Sequence, residues 1–327
     1  MYEPPYAITN DMLRSVSQIS EKVGRIDGSR LMETHPHLRH NNRIRSVHSS
    51  LKIEANSLSL EDVRGVLNGK AVVGPEKEIL EVQNAFAAYK ELGSFDPYSI
   101  DDLKRIHGII TDKIVDESGM FRTGNEGVFN GDRCIFVAPP PDLVPKLIHD
   151  LFDWMKNSQD SLHALILSSV FHYEFVFIHP FKDGNGRMAR LWQTALLSQW
   201  NPIFRDIPIE SRIEEFTQGY YDAIDACNHS GNCTVFVEFM LTKINESLDD
   251  VQKRLQSESE ISEQMNRLLS VMDFDVPYTA KSLMELLHLS SRDGFRRNYL
   301  VPAIEQGLVR MEHPDKPSSR SQRYLRT

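Results

Sequence analysis

The sequence predicts a mainly α-helical protein that carries one small β-hairpin flap and ends in a winged-helix-like domain. Three observations predict it. Apolar residues recur at helical spacing through most of the 327 residues, as in Ile100, Leu103, Ile106, His107 and Ile110, or Leu143, Leu147, Ile148, Leu151 and Phe152. The stretch Gly119 to Pro141, GMFRTGNEGVFNGDRCIFVAPPP, breaks that period with glycines, turn residues and an alternating RCIFVA run, as a hairpin would. After Asp250 the composition changes.

That change suggests a boundary. The polar segment DDVQKRLQSESEISEQ reads as an exposed connecting helix. Beyond it, from Val276 to Thr327, nine basic residues stand against five acidic ones. The segment therefore carries +4, and the rest of the chain −13, of a net charge of −9. TAKSLMELLHL, SSRDGFRRNYLVPAIEQGLV and RMEHPDKPSSRSQRYLRT read as helix, turn, helix and terminal hairpin, which is winged-helix grammar suited to DNA or to protein contact. The expected organisation is an N-terminal helical region over 1–95, a catalytic core over 96–250, and a connecting helix with the winged-helix-like domain over 251–327.

The acidic balance argues against nucleic acid or anionic membrane as a partner of the whole chain, because both need positive surface. Cys134, Cys227 and Cys233 are an odd number without CxxC spacing, so neither a disulfide framework nor a zinc site is suggested. The segment MYEPPYAITNDML lacks the features of a secretory signal, and no apolar run approaches the ~20 residues of a membrane span. A cytoplasmic protein with no membrane partner is expected.

The chemistry concentrates in His179 to Arg190, HPFKDGNGRMAR. An apolar helix precedes it and another begins after Gly184, while Pro180 forbids one uninterrupted helix through both. A helix N-terminus offers unpaired N–H groups and a favourable dipole to an anion, and Gly184 and Gly186 let phosphate approach. Arg187 and Arg190 share one helix face, where two guanidiniums can grip phosphates. Asp183 supplies one hard oxygen, which suits magnesium among phosphate oxygens and waters better than it suits zinc. His179 can accept a proton near neutral pH.

Together these residues resemble the Fic (filamentation-induced-by-cAMP) family, whose pattern HxFx[D/E]GNGRxxR is matched at every specified position. The resemblance implies a Fic-type helical bundle and a protein adenylyltransferase, which moves AMP from ATP to a hydroxyl of a target protein. In that reading His179 is the base and Asp183 holds magnesium. Gly184, Asn185 and Gly186 form the anion hole, Arg187 and Arg190 steady the phosphates, and Phe181 anchors the loop. Glycine at 186 favours AMP transfer, since relatives that transfer phosphate typically carry lysine there.

The resemblance extends further along the chain. The 119–141 flap corresponds to a hairpin that pairs with the target as an added strand. SLKIEANSLSLEDV resembles the family's inhibitory helix, [S/T]xxxE[G/N], through Ser50 and Glu54. Glu54 is then expected to pair with Arg190 and restrain the site, from the same chain or across a homodimer. Ala55 departs from the expected Gly or Asn, a small departure, because alanine is an excellent helix former. Tyr220 and Tyr221 correspond to a tyrosine pair near the adenine. Two other functions fit the same residues: removal of AMP from a modified protein, and a nucleotide-sensing regulator that binds DNA through its tail.

Overall fold

The computed structural model describes residues 2–28, 36–130, 133–259, 262–272, 276–317, 319 and 321–326. The chain divides into two compact units, Met1–Val251 and Gln252–Thr327. The first is helical apart from one hairpin. Its helices are α1 (Asn10–Gly28), α2 (Pro36–Ile53), α3 (Leu60–Leu67), α4 (Glu76–Lys90), α5 (Ile100–Ile110), α6 (Val144–Ser158), α7 (Ala164–Ile178), α8 (Asn185–Trp200), α9 (Ile209–Glu215), α10 (Thr217–Ser230) and α11 (Thr234–Ser259), which runs past the unit boundary.

Helix α7, ALILSSVFHYEFVFI, is apolar on every side, so it can be stable only when surrounded, and all of it except Ala164, Val176 and Phe177 is buried. Helix α8 packs against it and is buried from Arg187 to Ser198. Around this pair the amphipathic helices present one face each: α5 buries Leu103, Ile106, His107 and Ile110, and α6 buries Val144, Ile148, Leu151, Phe152 and Met155. Ser99 caps α5 by accepting from the Asp102 N–H. Ser59 and Asp62 close a capping box on α3.

Helix α2 is fastened differently. Its contacts with the segment before and within α9 are polar: Asn42 Nδ2 donates to the Asp206 carbonyl at 2.9 Å and Ser46 Oγ to Glu210 Oε2 at 2.7 Å. One turn further, Ser49 Oγ donates to Glu214 Oε2 at 3.2 Å and Lys52 Nζ lies 2.8 Å from Glu214 Oε1. Tyr89 OH, from α4, donates to the other Glu210 oxygen at 2.7 Å. Glu210 is thus a buried carboxylate made tolerable by donors from two helices.

The flap forms where the alternating run predicts it. Strand β1 (Gly127–Asn130) pairs antiparallel with β2 (Arg133–Val137), with a register shift between Val128 and Phe129. The tip expected between them, residues 131 and 132, lies outside the described residues.

The second unit contains α12 (Glu263–Ser270), α13 (Ala280–Leu286), α14 (Arg292–Phe295), α15 (Val301–Glu305), and the antiparallel strands β3 (Val309–Met311) and β4 (Tyr324–Arg326). A π turn at Arg296–Leu300 joins α14 to α15. Pro302 accounts for it: it has no N–H for the ordinary bond four residues back, and the helix widens before it. Tyr278 bridges Tyr324, which adds a third strand position beside β4. Met265, Leu268, Leu283, Phe295, Leu300 and Val309 share one core.

Candidate active site

The motif loop is bounded by two left-handed residues. His179 ends α7 with φ 52°, its N–H donating to the Phe175 carbonyl, and Gly184 starts α8 with φ 82°. Between them Phe181 is fully buried and stacks on His107, ring centroids 3.6 Å apart. The Asn185 amide clasps the same residue, accepting from Phe181 N–H at 2.9 Å and donating to its carbonyl at 2.7 Å. The Asn185 side chain is therefore committed to holding the loop, and only its backbone N–H faces the helix N-terminus as a free donor would.

His107 supports the loop from α5. Its Nδ1 accepts from the Gly119 N–H at 2.9 Å, so the ring proton sits on Nε2, which donates to the Asp183 carbonyl at 3.0 Å. Burial, outweighing the favourable Asp183 carbonyl, lowers its pKa to about 4. The helical periodicity marked His107 only as a core position.

His179 Nδ1 lies 3.3 Å from the Val176 carbonyl. A carbonyl only accepts, so the proton belongs on Nδ1 and the lone pair on Nε2. Burial is the main cause that holds the imidazole below its ordinary pKa, and the Arg122 charge acts in the same direction. The ring is neutral at pH 7, as a general base requires.

At the start of α8, Arg187 is buried, with Nη2 2.9 Å from Asp183 Oδ1 and Nη1 3.5 Å from Glu81 Oε1. Arg190 is buried too: its Nε donates to Ser50 Oγ at 3.0 Å, and its Nη2 to the Ser50 carbonyl at 2.9 Å and Glu54 Oε1 at 2.8 Å. Nε and Nη1 of Arg187 and Nη1 of Arg190 have no hydrogen-bond acceptor among the described residues. Buried donors without acceptors are costly, and these donors stand beside a helix N-terminus, a place that suits an anion. Asp183 is half-buried, and its Oδ1 also accepts from the Gly184 N–H. No group of three or more His, Cys, Asp or Glu that could hold a metal by itself occurs among the described residues. The donor set fits a magnesium ion that takes most of its ligands from phosphate and water.

Glu54 occupies the entrance to this site. It follows the last residue of α2, and a Cβ on Gly186 would run into its Oε1. Ala55 then turns left-handed, φ 66°, its N–H donating to the Lys52 carbonyl and the Asn56 N–H to the Leu51 carbonyl. This is a Schellman ending, whose left-handed position favours Gly or Asn. The departure at Ala55 is thus a matter of backbone sterics, not of helix propensity as its sequence context suggested. Asn56 goes on to donate to Glu81 Oε2 at 2.9 Å, so the same turn also braces the carboxylate beside Arg187.

Of the two tyrosines, Tyr220 is buried, with its hydroxyl 3.0 Å from His172 Nε2, whose Nδ1 lies 2.6 Å from Gln193 Oε1. Tyr221 is 43% exposed, and its hydroxyl approaches the Ile53 carbonyl at 3.4 Å. Only Tyr221 presents its ring at the surface.

The geometry has counterparts among known proteins. Residues 97–197 match the Fic/DOC family, and residues 263–327 match the C-terminal domain of Fic-like filamentation-induced-by-cAMP proteins. A crystal structure of a Fic family protein from Desulfovibrio desulfuricans is 40% identical, with a TM-score of 0.76, and the match covers 100% of this chain and 98% of that one. The chain belongs to the Fic family. Among the Fic relatives it resembles are protein adenylyltransferase fic-1 of Caenorhabditis elegans, 28% identical over 72% of this chain, and protein adenylyltransferase Fic of Nematostella vectensis, 29% identical over 62%. This Fic chain spans 45% and 47% of the length of those two relatives. Among the described residues no helix is long and apolar enough to cross a membrane.

Proposed function

We propose that this Fic protein transfers AMP from ATP to a hydroxyl side chain of a target protein. The observation that carries the reading is the neutral His179, with its Nε2 lone pair free, beside a helix N-terminus where Arg187 and Arg190 hold buried N–H groups without acceptors. In the reaction Nε2 takes the proton of the target hydroxyl, the hydroxyl oxygen bonds to the α-phosphorus, and the bond to pyrophosphate breaks. The N–H groups of Asn185 and Gly186 and the two arginines offset the phosphate charge, while the Gly184 N–H holds the Asp183 carboxylate. Magnesium, held by Asp183 and the nucleotide, would supply further charge neutralisation. Tyr221 is the tyrosine available to the adenine.

Glu54 restrains this site by occupying Arg190, and it does so from the same chain. The hairpin β1–β2 pairs only with itself among the described residues, which leaves an edge for a target strand. Cys227, in α10, and Cys233, before α11, are free and buried, in keeping with a reducing, cytoplasmic setting. The test is labelling with radioactive ATP and magnesium. Glu54→Gly should label itself or a partner more strongly than wild type, and His179→Ala in that background should abolish the signal; no labelling by Glu54→Gly refutes the reading.

For the second unit we propose a winged-helix fold that contacts duplex DNA. Arg292, Arg296 and Arg297 are exposed along the third helix and form no ion pair with a carboxylate among the described residues, and Arg310 and Lys316 in the same unit are exposed too. Binding of the full chain to duplex DNA should weaken with salt, and Arg296→Ala with Arg297→Ala should lower the salt slope by about two. A salt-independent signal, or none, overturns this assignment.

A further inference from the structure

We propose that Arg122 is a positioning residue that locks the flap to the backbone turn carrying His179, so that the target strand and the base keep one geometry. The proposal rests on the AMP-transfer reading of the site.

Arg122 lies on the approach to β1 and is 2% exposed. Its own N–H donates to the Pro180 carbonyl at 2.9 Å. The guanidinium then divides its donors between two places. Nε donates to the His179 carbonyl at 2.6 Å and Nη2 reaches the Ile178 carbonyl at 3.4 Å. Nη2 also donates to the Pro139 carbonyl at 2.5 Å, and Nη1 to the Gly124 carbonyl at 2.8 Å. Gly124 precedes β1 and Pro139 follows β2, so one planar cation holds both legs of the hairpin. The legs also meet directly, Ala138 N–H donating to the Glu126 carbonyl at 3.0 Å.

Two features separate this from ordinary packing. First, the guanidinium has no carboxylate within ion-pair distance among the described residues. A buried cation compensated only by carbonyl dipoles is expensive, and an apolar residue would fill the space at lower cost. Second, the carbonyls it gathers belong to the turn in which His179 adopts a left-handed backbone, a conformation costly for any residue other than glycine and sustained only by surrounding contacts. Lysine cannot replace the arginine here, because one nitrogen cannot span carbonyls on three segments. The flap root and the His179 turn are consequently one rigid assembly with the guanidinium at its centre.

The charge of Arg122 also contributes to keeping His179 deprotonated. This separates the two roles experimentally. In the Glu54→Gly background, Arg122→Lys keeps the charge and loses the clamp, whereas Arg122→Gln loses both.

Amide exchange of the full chain should quicken by about tenfold or more in residues 124–130 and 133–138 in both variants, with α8 unchanged. Self-labelling should fall by about tenfold or more in kcat, with the KM for ATP unchanged, because Arg122 does not reach the nucleotide site. The NMR titration midpoint of His179 should rise in Arg122→Gln and stay in place in Arg122→Lys. Flap exchange at wild-type rates, or equal acceleration in the flap, α5, α7 and α8, overturns the proposal.

If neither variant folds, the wild-type Arg122 Nε–H decides: protection comparable to the flap amides supports the clamp, and free exchange overturns it. Absence of labelling by Glu54→Gly with Arg122 intact would refute AMP transfer and leave the exchange measurements standing.

Discussion

Glu54 Oε1 accepts a hydrogen bond from Arg190 Nη2 at 2.8 Å in the same volume that a side chain on Gly186 would need. On the proposed reading, the restraint and the phosphate site are therefore one space. Two substitutions that both disturb Glu54 should then differ in effect. Glu54→Gly vacates the space and should activate labelling. Gly186→Ala displaces the carboxylate but fills the space itself, so adding it to Glu54→Gly should cut labelling by about tenfold or more. Equal labelling by the single and double variants would show that the phosphate lies elsewhere.

Ala55→Gly should stabilise the protein. The residue sits at φ 66° in the Schellman turn that ends α2, where a Cβ is unfavourable. Relief of that strain, reduced by the greater freedom of glycine in the unfolded chain, leaves a gain of about 0.5–1 kcal/mol. Urea denaturation measures it, and the firmer turn should lower basal labelling. A loss of stability would contradict the assigned backbone.

The pH dependence of labelling follows from His179. Burial holds its pKa below the ordinary 6.5, and the reaction needs the neutral ring. The rate should stay level from pH 8 down to about 6.5 and decline only below that, as the ring is protonated. An acid limb centred above this value in a kcat profile would exclude His179 as the base in this environment.

Fold stability should also decline in acid. His107 and His172 are held by burial to pKa values of about 4 and about 3, both below the unfolded value of 6.5. As pH falls below 6.5 the unfolded chain takes up protons that the folded protein refuses. Their contribution is therefore complete above 6.5 and is lost progressively between 6.5 and about 3. Thermal melts from pH 7.5 to 4 should show a falling Tm, with a shallower fall in His172→Phe.

Tyr220→Phe removes the hydroxyl beside His172 Nε2 and leaves that nitrogen buried without a partner. The expected cost is about 1–3 kcal/mol in denaturation. With Tyr220 in the core and Tyr221 at the surface, Tyr221→Ala should raise the KM for ATP at little cost in stability. The opposite pattern would exchange the roles of the two tyrosines.

His179, Asp183, Gly184, Gly186, Arg187 and Arg190 were legible because they are neighbours in the chain: a turn followed by one helix brings them together whatever surrounds it. The hairpin was legible from alternation, and the helices from their apolar period. Ser50 and Glu54 came from a family pattern, and their contact with Arg190 spans 140 and 136 residues. Arg122, Glu81 and Glu210 carried no local signal and His107 only that of a core position, since each acts through carbonyls or donors supplied by distant segments. The Asn185 side chain turned inward to Phe181 for the same reason, which leaves the backbone N–H as its part in an anion hole.

The sequence by itself determined which chemical groups stand at the start of α8, because spacing along a helix sets which side chains share a face. Tertiary structure decided which of those groups are free. It turned Ala55 left-handed, closed Glu54 over Arg190, set Arg122 between the flap and His179, and hid Tyr220 while exposing Tyr221. Partner choice across long separations depends on packing and burial, and these exist only once the helices have assembled.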